Sequence, residues 1–569
     1  MSIQNSNLIQ TKYSYDTVVA VTQKALNNAI ETWYEDATTF SLVTYYFIKD
    51  SSGNPQAIDK ASLLKLTNNI DPLSATLTSA QQKTLSTTVF YFAFSFIIGN
   101  PANALNINYI TLSPGTDTVQ YDLLCRTLQV AFWNPDNQSW ISIKQTTARE
   151  FNISADINLK NVLDNSNLPP RVQAAVDTLG GTDVNVQQLL FDLDSAVVAP
   201  TTTVAGLSSS CSVFKPLMQQ FANAYFSTYT AQSGALNYAL TTSNTASLAP
   251  TKMDWYINAF VDSKGNLISN PTEDQQDLAT LSYLFANNSD KLNPSAQLNW
   301  NWLEDNGSSH NPDMDTNADV NKYDGAISVK RDAFANYLIS QLNGYVQQNC
   351  WAPYIDQTPE TYGDLVFTLG TPPSNVFSAY NPNSMADGEP DQLFLYFYDK
   401  IFTLPVVQVI PAATMNVTCF FDLQVYLGDG STAPVNRLTL QQSFHIQIST
   451  TLTDPTTGKA KVYSGSPVNK SFTDVFNVQV DDHGNIVFVK NSALSTSTDI
   501  STDVNLPFEN DWDSTDSYVQ NLAAKTFSEI PFTFPQQFVF PGGNAFTFQD
   551  AQFSGFSDLV CHFTYKAES

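Results

Sequence analysis

The sequence predicts an α+β protein, mainly antiparallel β, arranged as two modules. Three observations predict it. Runs of alternating apolar residues outnumber helical stripes along the 569 residues, and a two-residue period belongs to strands with one buried face. Charged residues make up only 14% of the chain, against roughly a quarter in an average globular protein. Ser, Thr, Asn and Gln take the surface instead, which suits half-exposed strands. Third, one short pattern occurs twice, as YDTVVAVTQKALNNAI at 15–30 and YDGAISVKRDAFANYL at 323–338.

In the first copy, Val18, Val19 and Val21 favour a strand and Thr22 is placed to cap a helix. Ala25, Leu26, Ala29, Ile30 and Trp33 then recur at helical spacing and form one apolar face. TTFSLVTYYFI at 38–48 reads as a strand, and TTVFYFAFSFII at 87–98 is the clearest one. There Phe90, Phe92, Phe94 and Phe96 alternate strictly, which puts four rings on one face. LLCRTLQVAFW at 123–133 and SWISIKQ at 139–145 read as a hairpin around NPDNQ. LPPRVQAAVDTLGG at 168–181 has the Pro start and Gly stop of a helix. KPLMQQFANAYFSTY at 215–229 is amphipathic, with Leu217, Phe221, Ala224 and Tyr225 inward.

The polar stretch NGSSHNPDMDTNAD at 306–319 precedes the second copy, so the modules are expected at 1–311 and 312–569. In that copy Ile327 and Val329 favour a strand, followed by Phe334, Tyr337, Leu338, Leu342 and Tyr345 at helical spacing. Aligned without gaps at an offset of 308 residues, the copies share five of 16 positions. LFLYFYDK, VTCFFDLQVYL, FHIQISTTL, FNVQV and NIVFVK read as further strands, SALSTSTDISTD at 492–503 as a loop, and DSYVQNLAAKTF near 516 as a short helix. Turns are expected at DSSGN (50), DSKGN (262) and DDHGN (481), because Asp, Gly and Asn tolerate the tight backbone of hairpin loops.

Composition narrows the function classes. The net charge is −27 and no Lys/Arg cluster is present, so neither nucleic acid nor an anionic membrane surface is the expected partner. The longest apolar run, around VFYFAFSFII, is about 10 residues, half of what a membrane-spanning helix needs. The N-terminal MSIQNSNLIQTKYSYD lacks the charged and apolar regions of a signal peptide. The expectation is a cytoplasmic protein, or one exported without a conventional signal peptide. The five cysteines are scattered and form no CxxC pair, so buried free thiols are expected.

Catalytic motifs are scarce. The chain has no G-x-S-x-G elbow, H-E-x-x-H, P-loop or G-x-G-x-x-G. Ser212-Val-Phe-Lys215 matches S-x-x-K without companion motifs, and the four histidines His310, His445, His483 and His562 suggest no cluster. DMDTNADVNKYD at 313–324 has the alternating Asp/Asn spacing of a calcium loop, but Ala318 replaces the turn Gly and Asp324 the bidentate Glu. A polar loop between modules is the simpler reading. No catalytic residue, metal ligand or cofactor is assigned.

A strand running straight into a long amphipathic helix, followed by long antiparallel strands, resembles the tubular lipid-binding (TULIP) superfamily. VVAVTQKALNNAIE is similar to the first helix of such domains. YDTVVAV, NWNWLEDN and the closing FPGGNAFTFQDAQFSGFSDLVCHFTY resemble the clostridial forty-seven-kilodalton TULIP proteins encoded beside botulinum neurotoxin genes. The resemblance implies a highly curved sheet around a long helix and an elongated apolar groove that holds lipid in many relatives. It supplies no ligand motif residue by residue.

Two readings of the Phe face remain open. Phe90, Phe92, Phe94 and Phe96 are the wall of an apolar cavity, with Leu26, Ile30 and Trp33 on the helix opposite and Ala25 and Ala29 small enough to leave a gap, or they are an ordinary core. The Phe residues at 532, 534, 538, 540, 546 and 548 pose the same choice. The first reading makes the protein a non-enzymatic binder of lipid or another hydrophobic molecule. The alternative is a protein-interaction scaffold, such as a toxin-associated accessory protein without bound lipid.

Overall fold

The computed structural model describes residues 5–10, 13–35, 40–100, 108–113, 118–145, 153–163, 184–198, 210–233, 237–242, 252–286, 298–303, 322–349, 355–356, 368–369, 378–380, 392–406, 413–427, 436–454, 456–482, 484, 486–502, 529–530, 536–539 and 546–565. The chain begins with β1 (Thr17–Thr22), α1 (Gln23–Glu35), β2 (Val43–Lys49), β3 (Pro55–Ile58), α2 (Lys60–Leu66), α3 (Ser79–Ser86), β4 (Phe90–Ile98), β5 (Ile110–Leu112), β6 (Thr118–Leu123), β7 (Cys125–Asn134) and β8 (Ser139–Lys144). There follow β9 (Ile153–Leu163), β10 (Val184–Val198), α4 (Phe214–Ser233), β11 (Asn237–Thr242), β12 (Lys252–Asn258), α5 (Glu273–Asp277) and β13 (Thr280–Ala286). The second copy of the repeat opens with β14 (Gly325–Val329) and α6 (Arg331–Asn349), then β15 (Ile355–Asp356), β16 (Thr368–Leu369) and β17 (Ser378–Tyr380). Long strands come next: β18 (Gln392–Val406), β19 (Ala413–Leu427), β20 (Arg437–Thr453) and β21 (Ala460–Val480). The chain closes with β22 (Ile486–Lys490), β23 (Thr496–Asp499), β24 (Glu529–Ile530), β25 (Gln536–Val539), β26 (Phe546–Phe548), β27 (Gln552–Phe553) and β28 (Leu559–Tyr565).

The architecture is α+β, and every described strand pair is antiparallel. The strands form a central sheet in the order β12-β13-β1-β14-β28-β26, a five-stranded sheet β3-β2-β4-β7-β8, a six-stranded sheet β25-β11-β10-β9-β6-β5, an eight-stranded sheet running β17-β18-β19-β20-β21-β22-β24 with β23 beside β21, and the small pair β15-β16. No described helix is long and apolar enough to cross a membrane.

Both copies of the repeat are a strand followed at once by a helix, and the two strands pair with each other. β1 lies antiparallel to β14, with Thr17 opposite Val329, Val19 opposite Ile327 and Val21 opposite Gly325. The ladder is symmetric about Val19 and Ile327, which occupy the same place in the two copies. The bonds at its ends match as well. Thr22 N–H donates to the Asp324 carbonyl (3.0 Å) and Lys330 N–H to the Asp16 carbonyl (2.8 Å). On the outer sides Asp16 N–H donates to the Phe285 carbonyl (2.7 Å) and Asp324 N–H to the Phe563 carbonyl (2.9 Å). Thr22 caps α1 as its sequence position suggests: its Oγ1 accepts from Ala25 N–H (3.1 Å).

Several local readings change. The run 123–133 is broken at Leu124, where the chain passes from β6 in one sheet to β7 in another. The Ser/Thr run at 492–503 contains β23, which pairs with β21 through Lys470 opposite Asp499. Helices α2 and α3 have no strong apolar period. Their caps carry the signal: Asp59 accepts from Ser62 N–H, and Thr78 with Gln81 closes a capping box. The helix read at 168–181, the one near 516, the loop at 313–321, Cys350 and Phe532, Phe534 and Phe540 lie outside the described residues.

The three D-x-x-G-N turns do recur. Gly53 N–H donates to Asp50 O (3.0 Å), Gly265 N–H to Asp262 O (2.9 Å) and Gly484 N–H to Asp481 O (3.0 Å). The first two Asp side chains also gather the loop amides, Asp50 from Ser52 and Asn54, Asp262 from Lys264 and Asn266. Gly53 and Gly265 have φ of +85° and +79°, a region open to Gly at little cost.

Candidate functional site

The aromatic face of β4 sits mid-sheet between β2 and β7. Phe92, Phe94 and Phe96 are fully buried on its inner side. Phe47 of β2 lies 4.8 Å from Phe92, ring centre to ring centre. Phe221 of α4 meets Phe94 at 5.5 Å and Phe96 at 5.1 Å, and Tyr225 stacks on Phe96 at 5.9 Å. These are ordinary aromatic packing distances. The Tyr225 hydroxyl donates to the Leu124 carbonyl (3.0 Å), so a helix side chain ties this layer to the break between β6 and β7.

Two expectations about this face are corrected. Phe90 does not share it. The pairing of β4 with β2 slips between Phe47/Phe92 and Ile48/Phe90, leaving Tyr91 as an extra residue. Such a bulge breaks the alternation, so the residue before it faces the opposite side. Phe90 therefore packs with Tyr46, Leu63, Leu85 and Ala93 under α2 and α3. Second, α4 rather than α1 covers Phe94 and Phe96, so bulky Phe221 and Tyr225 stand where Ala25 and Ala29 were expected. Leu26 and Ile30 are buried in the same continuous core as Phe94. Trp33 lies on α1, and its side chain is outside the described residues.

α1 instead closes a sheet edge. β5 ends the six-stranded sheet. Asn27 Nδ2 donates to the Ile110 carbonyl (3.0 Å), Ile110 N–H donates to Asn27 Oδ1 (2.8 Å) and Leu112 N–H to Gln23 Oε1 (2.8 Å). Amides one helical turn apart thus replace a missing strand. Arg331, which matches Gln23 in the repeat, likewise donates to a strand carbonyl, that of Gln392 on β18.

A second apolar face lies on the eight-stranded sheet. β20 alternates buried with less buried residues along most of its length, and Phe421, Phe444 and Phe472 form a continuous aromatic row at 5.1 and 6.0 Å. α6 touches both sides of this sheet. Phe334 stacks on Phe488 of β22 at 6.2 Å, while the Tyr396 hydroxyl of β18 donates to the Ile339 carbonyl (3.2 Å). Buried polar side chains interrupt the apolar face, among them Gln442, Lys470 and Asp474.

The most organised polar constellation escaped the sequence reading. His562 on β28 stacks on Tyr323 at 4.2 Å; its Nδ1 is 2.9 Å from Asp550 Oδ2 and its Nε2 3.2 Å from the Trp302 carbonyl. The Tyr323 hydroxyl donates to Asp550 Oδ2 (3.2 Å). Burial raises the Asp550 carboxyl, but the hydrogen bonds and charge of His562 outweigh this and hold it below the usual range. Its two ring nitrogens thus hold Asp550 and the Trp302 carbonyl together, and the ring clasps the end of the central sheet. Tyr323 and His562 stand 239 positions apart in the chain, which is why no local motif exposes them.

Immediately before β28, Asp558 is fully buried. It accepts from Leu8 N–H (2.8 Å), Ser6 Oγ (2.9 Å) and, at the start of α6, Arg331 N–H (3.2 Å). Burial raises its carboxyl to about 6 despite these donors. The N-terminal segment is pinned here over a small aromatic core of Tyr13, Tyr15, Trp300 and Trp302 on the far side of the central sheet.

Other candidates carry little chemistry. Ser212 Oγ donates to Asp136 (3.2 Å). The four described cysteines are free and buried, and burial pushes Cys419 up to about 12, far from the thiolate that reactivity needs. Burial lowers His445, whose Nε2 lies 3.1 Å from Ser466 Oγ. Among the described residues no three His, Cys, Asp or Glu side chains gather as a metal site.

No family model matches the chain, and no curated protein matches it. Solved structures similar to it include P47 from Clostridium botulinum A2, at 10% identity and a TM-score of 0.43 over 97% of both chains. P47 of Clostridium botulinum E1 matches at 11% identity and a TM-score of 0.41, over 97% of this chain and all of that one. A lipopolysaccharide binding protein matches at 9% identity and a TM-score of 0.27, over 98% of this chain and all of that one. At these TM-scores the likenesses carry no argument about fold or function, and both rest on the chain's own geometry.

Proposed function

We propose that the protein is a non-enzymatic binder of lipid or another hydrophobic molecule, held in an elongated apolar groove between its long helices and the inner faces of its sheets. One observation carries the reading. A single continuous apolar core joins Phe92, Phe94 and Phe96, Leu26 and Ile30 of α1, the inner side of the central sheet, and Phe421 and Phe444. An acyl chain entering between helix and sheet meets mainly apolar walls along such a path. Phe221 and Tyr225 are the side chains it would displace at the β4 end.

In this reading the chain is two modules, 1–311 and 312–569, each opened by a strand-helix copy and joined through β1 and β14. The second sheet curves around α6, because strands at opposite sides of the run β18 to β22 both reach that helix. β25 crosses back to pair with β11, so the modules share strands as well as a core.

The test is organic extraction of the purified protein with mass spectrometry, and titration of wild type and Phe94→Glu with a fluorescent fatty acid. Saturable uptake by wild type, weakened at least tenfold in the variant, is expected. No extractable lipid and no saturable uptake would sink the reading.

One observation favours the protein-interaction scaffold. On the outer face of the long-stranded sheet Phe397 and Ile401 are 42% and 65% exposed, and Phe420 lies between their rows on the neighbouring strand. That outcome is the one left standing if no lipid binds.

A further inference from the structure

We propose that the inner face of the eight-stranded sheet, at its margin beside β23, binds the anionic headgroup of a single-chain amphiphile, a carboxylate or a phosphate, on Lys470 with Gln442 as a second donor. The inference rests on the lipid-binding reading and adds which part of the ligand is recognised and where.

The placement follows from the ladder. Lys470 stands opposite Phe444, and Gln442 opposite Phe472. Directly opposed residues share a face and their diagonal neighbours are within side-chain reach, so Lys470 and Gln442 are diagonal across one patch, with two phenyl rings at its other corners. Those rings continue to Phe421 and the core. A headgroup at the patch thus leaves its chain on an apolar track.

Two features of the patch are unusual for a packed interior. The Lys470 side chain is 2% exposed, and lysine is rarely so buried. Gln442 is 3% exposed, and its Nε2 is buried with no hydrogen-bond partner among the described residues. A buried donor left without an acceptor is costly in a native fold. An anion between the two side chains would supply that acceptor and meet the ammonium in surroundings where charge pairing is stronger than in water.

The rim makes exchange feasible. The Lys470 ammonium lies 3.1 Å from Asp499 Oδ2, whose side chain is 54% exposed, and all four residues of β23 are exposed. Asp499 Oδ1 also accepts from Ser501 N–H (3.1 Å) and Oγ (2.7 Å). Displaced from Lys470, Asp499 keeps Ser501 and gains water. Asp474, next along the inner face, is paired with Lys490 at 2.7 Å, so its charge is offset.

Calorimetric titration of the full chain with oleate, oleyl alcohol and oleoyl lysophosphatidate, each below its micelle concentration, tests the proposal. At least one anion is expected to bind tenfold or more tighter than the alcohol. Preference for oleate alone assigns a carboxylate, and preference for lysophosphatidate alone a phosphate. Lys470→Met should erase the preference, bringing anion affinity down to that of the alcohol. Asp499→Asn, at the exposed rim where folding is least at risk, should tighten anion binding by threefold or more. Equal affinity for anions and alcohol, or an anion preference that both variants leave untouched, overturns the headgroup site while chain binding stands. Absence of binding by all three ligands overturns both readings.

Discussion

Asp558 shows how much one buried group can set. Its ordinary value of roughly 3.9 rises on folding to about 6. The folded carboxyl therefore holds its proton more tightly than the unfolded one. Its contribution to stability is complete below pH 4 and is lost as pH rises through 6, a difference of roughly 3 kcal/mol. Asp558→Asn should flatten this part of the pH profile in denaturant melts at pH 4, 5, 6 and 7. An unchanged slope would contradict the assignment. Leu26 tests packing at the same scale. It is buried in the main core, so Leu26→Ala should lower stability by about 2–5 kcal/mol in a urea melt. A change near zero would mean that this face of α1 lines an open groove. Leu26 and Ile30 were legible as buried positions because helical periodicity reports burial. Phe90 was not, because one extra residue at Tyr91 reverses the side on which a ring emerges.

At the level of elements, side-chain amides take the place of a strand. Asn27 satisfies both backbone groups of Ile110 in a buried setting. Asn27→Ala leaves a buried N–H and C=O unpaired, at about 1–3 kcal/mol each, and amide exchange at Ile110 should quicken accordingly. Protection equal to wild type would show that the edge is held by other contacts. The recurrent turns give a differential test. A Cβ at Gly53 would meet nothing, whereas at Gly265 it would come 2.7 Å from the Asn299 carbonyl oxygen. Both replacements carry the strain of a positive φ, of order 1 kcal/mol. Gly265→Ala should therefore lower the melting temperature clearly more than Gly53→Ala, and equal effects would refute the close approach. The turns themselves were readable from Asp, Gly and Asn. Helices α2 and α3 were readable only through their caps, since seven and eight residues are too few for a periodic stripe to stand out.

For the whole molecule, the pairing of β1 with β14 makes each half complete the other. Residues 1–311 alone leave β1 without β14 and β11 without β25, and 312–569 alone exposes the other side of both ladders. Neither half expressed separately should show a cooperative melt, while co-expression should restore one. A half that unfolds cooperatively at the full-length midpoint would contradict the shared-strand arrangement. The sequence by itself determined the α+β class, the strand-helix copy at 15–30 and 323–338, the turns, and the apolar positions of α4 and the long strands. These depend on local period and on backbone preferences that each residue carries with it. Only the tertiary structure decided that the copies pair about Val19 and Ile327, that α4 covers the Phe face, and that Lys470 and Gln442 lie inside the sheet. Each depends on partners distant in the chain or on a bulge, and their choice is settled by which pairing buries the most apolar surface while leaving the fewest backbone groups unpaired.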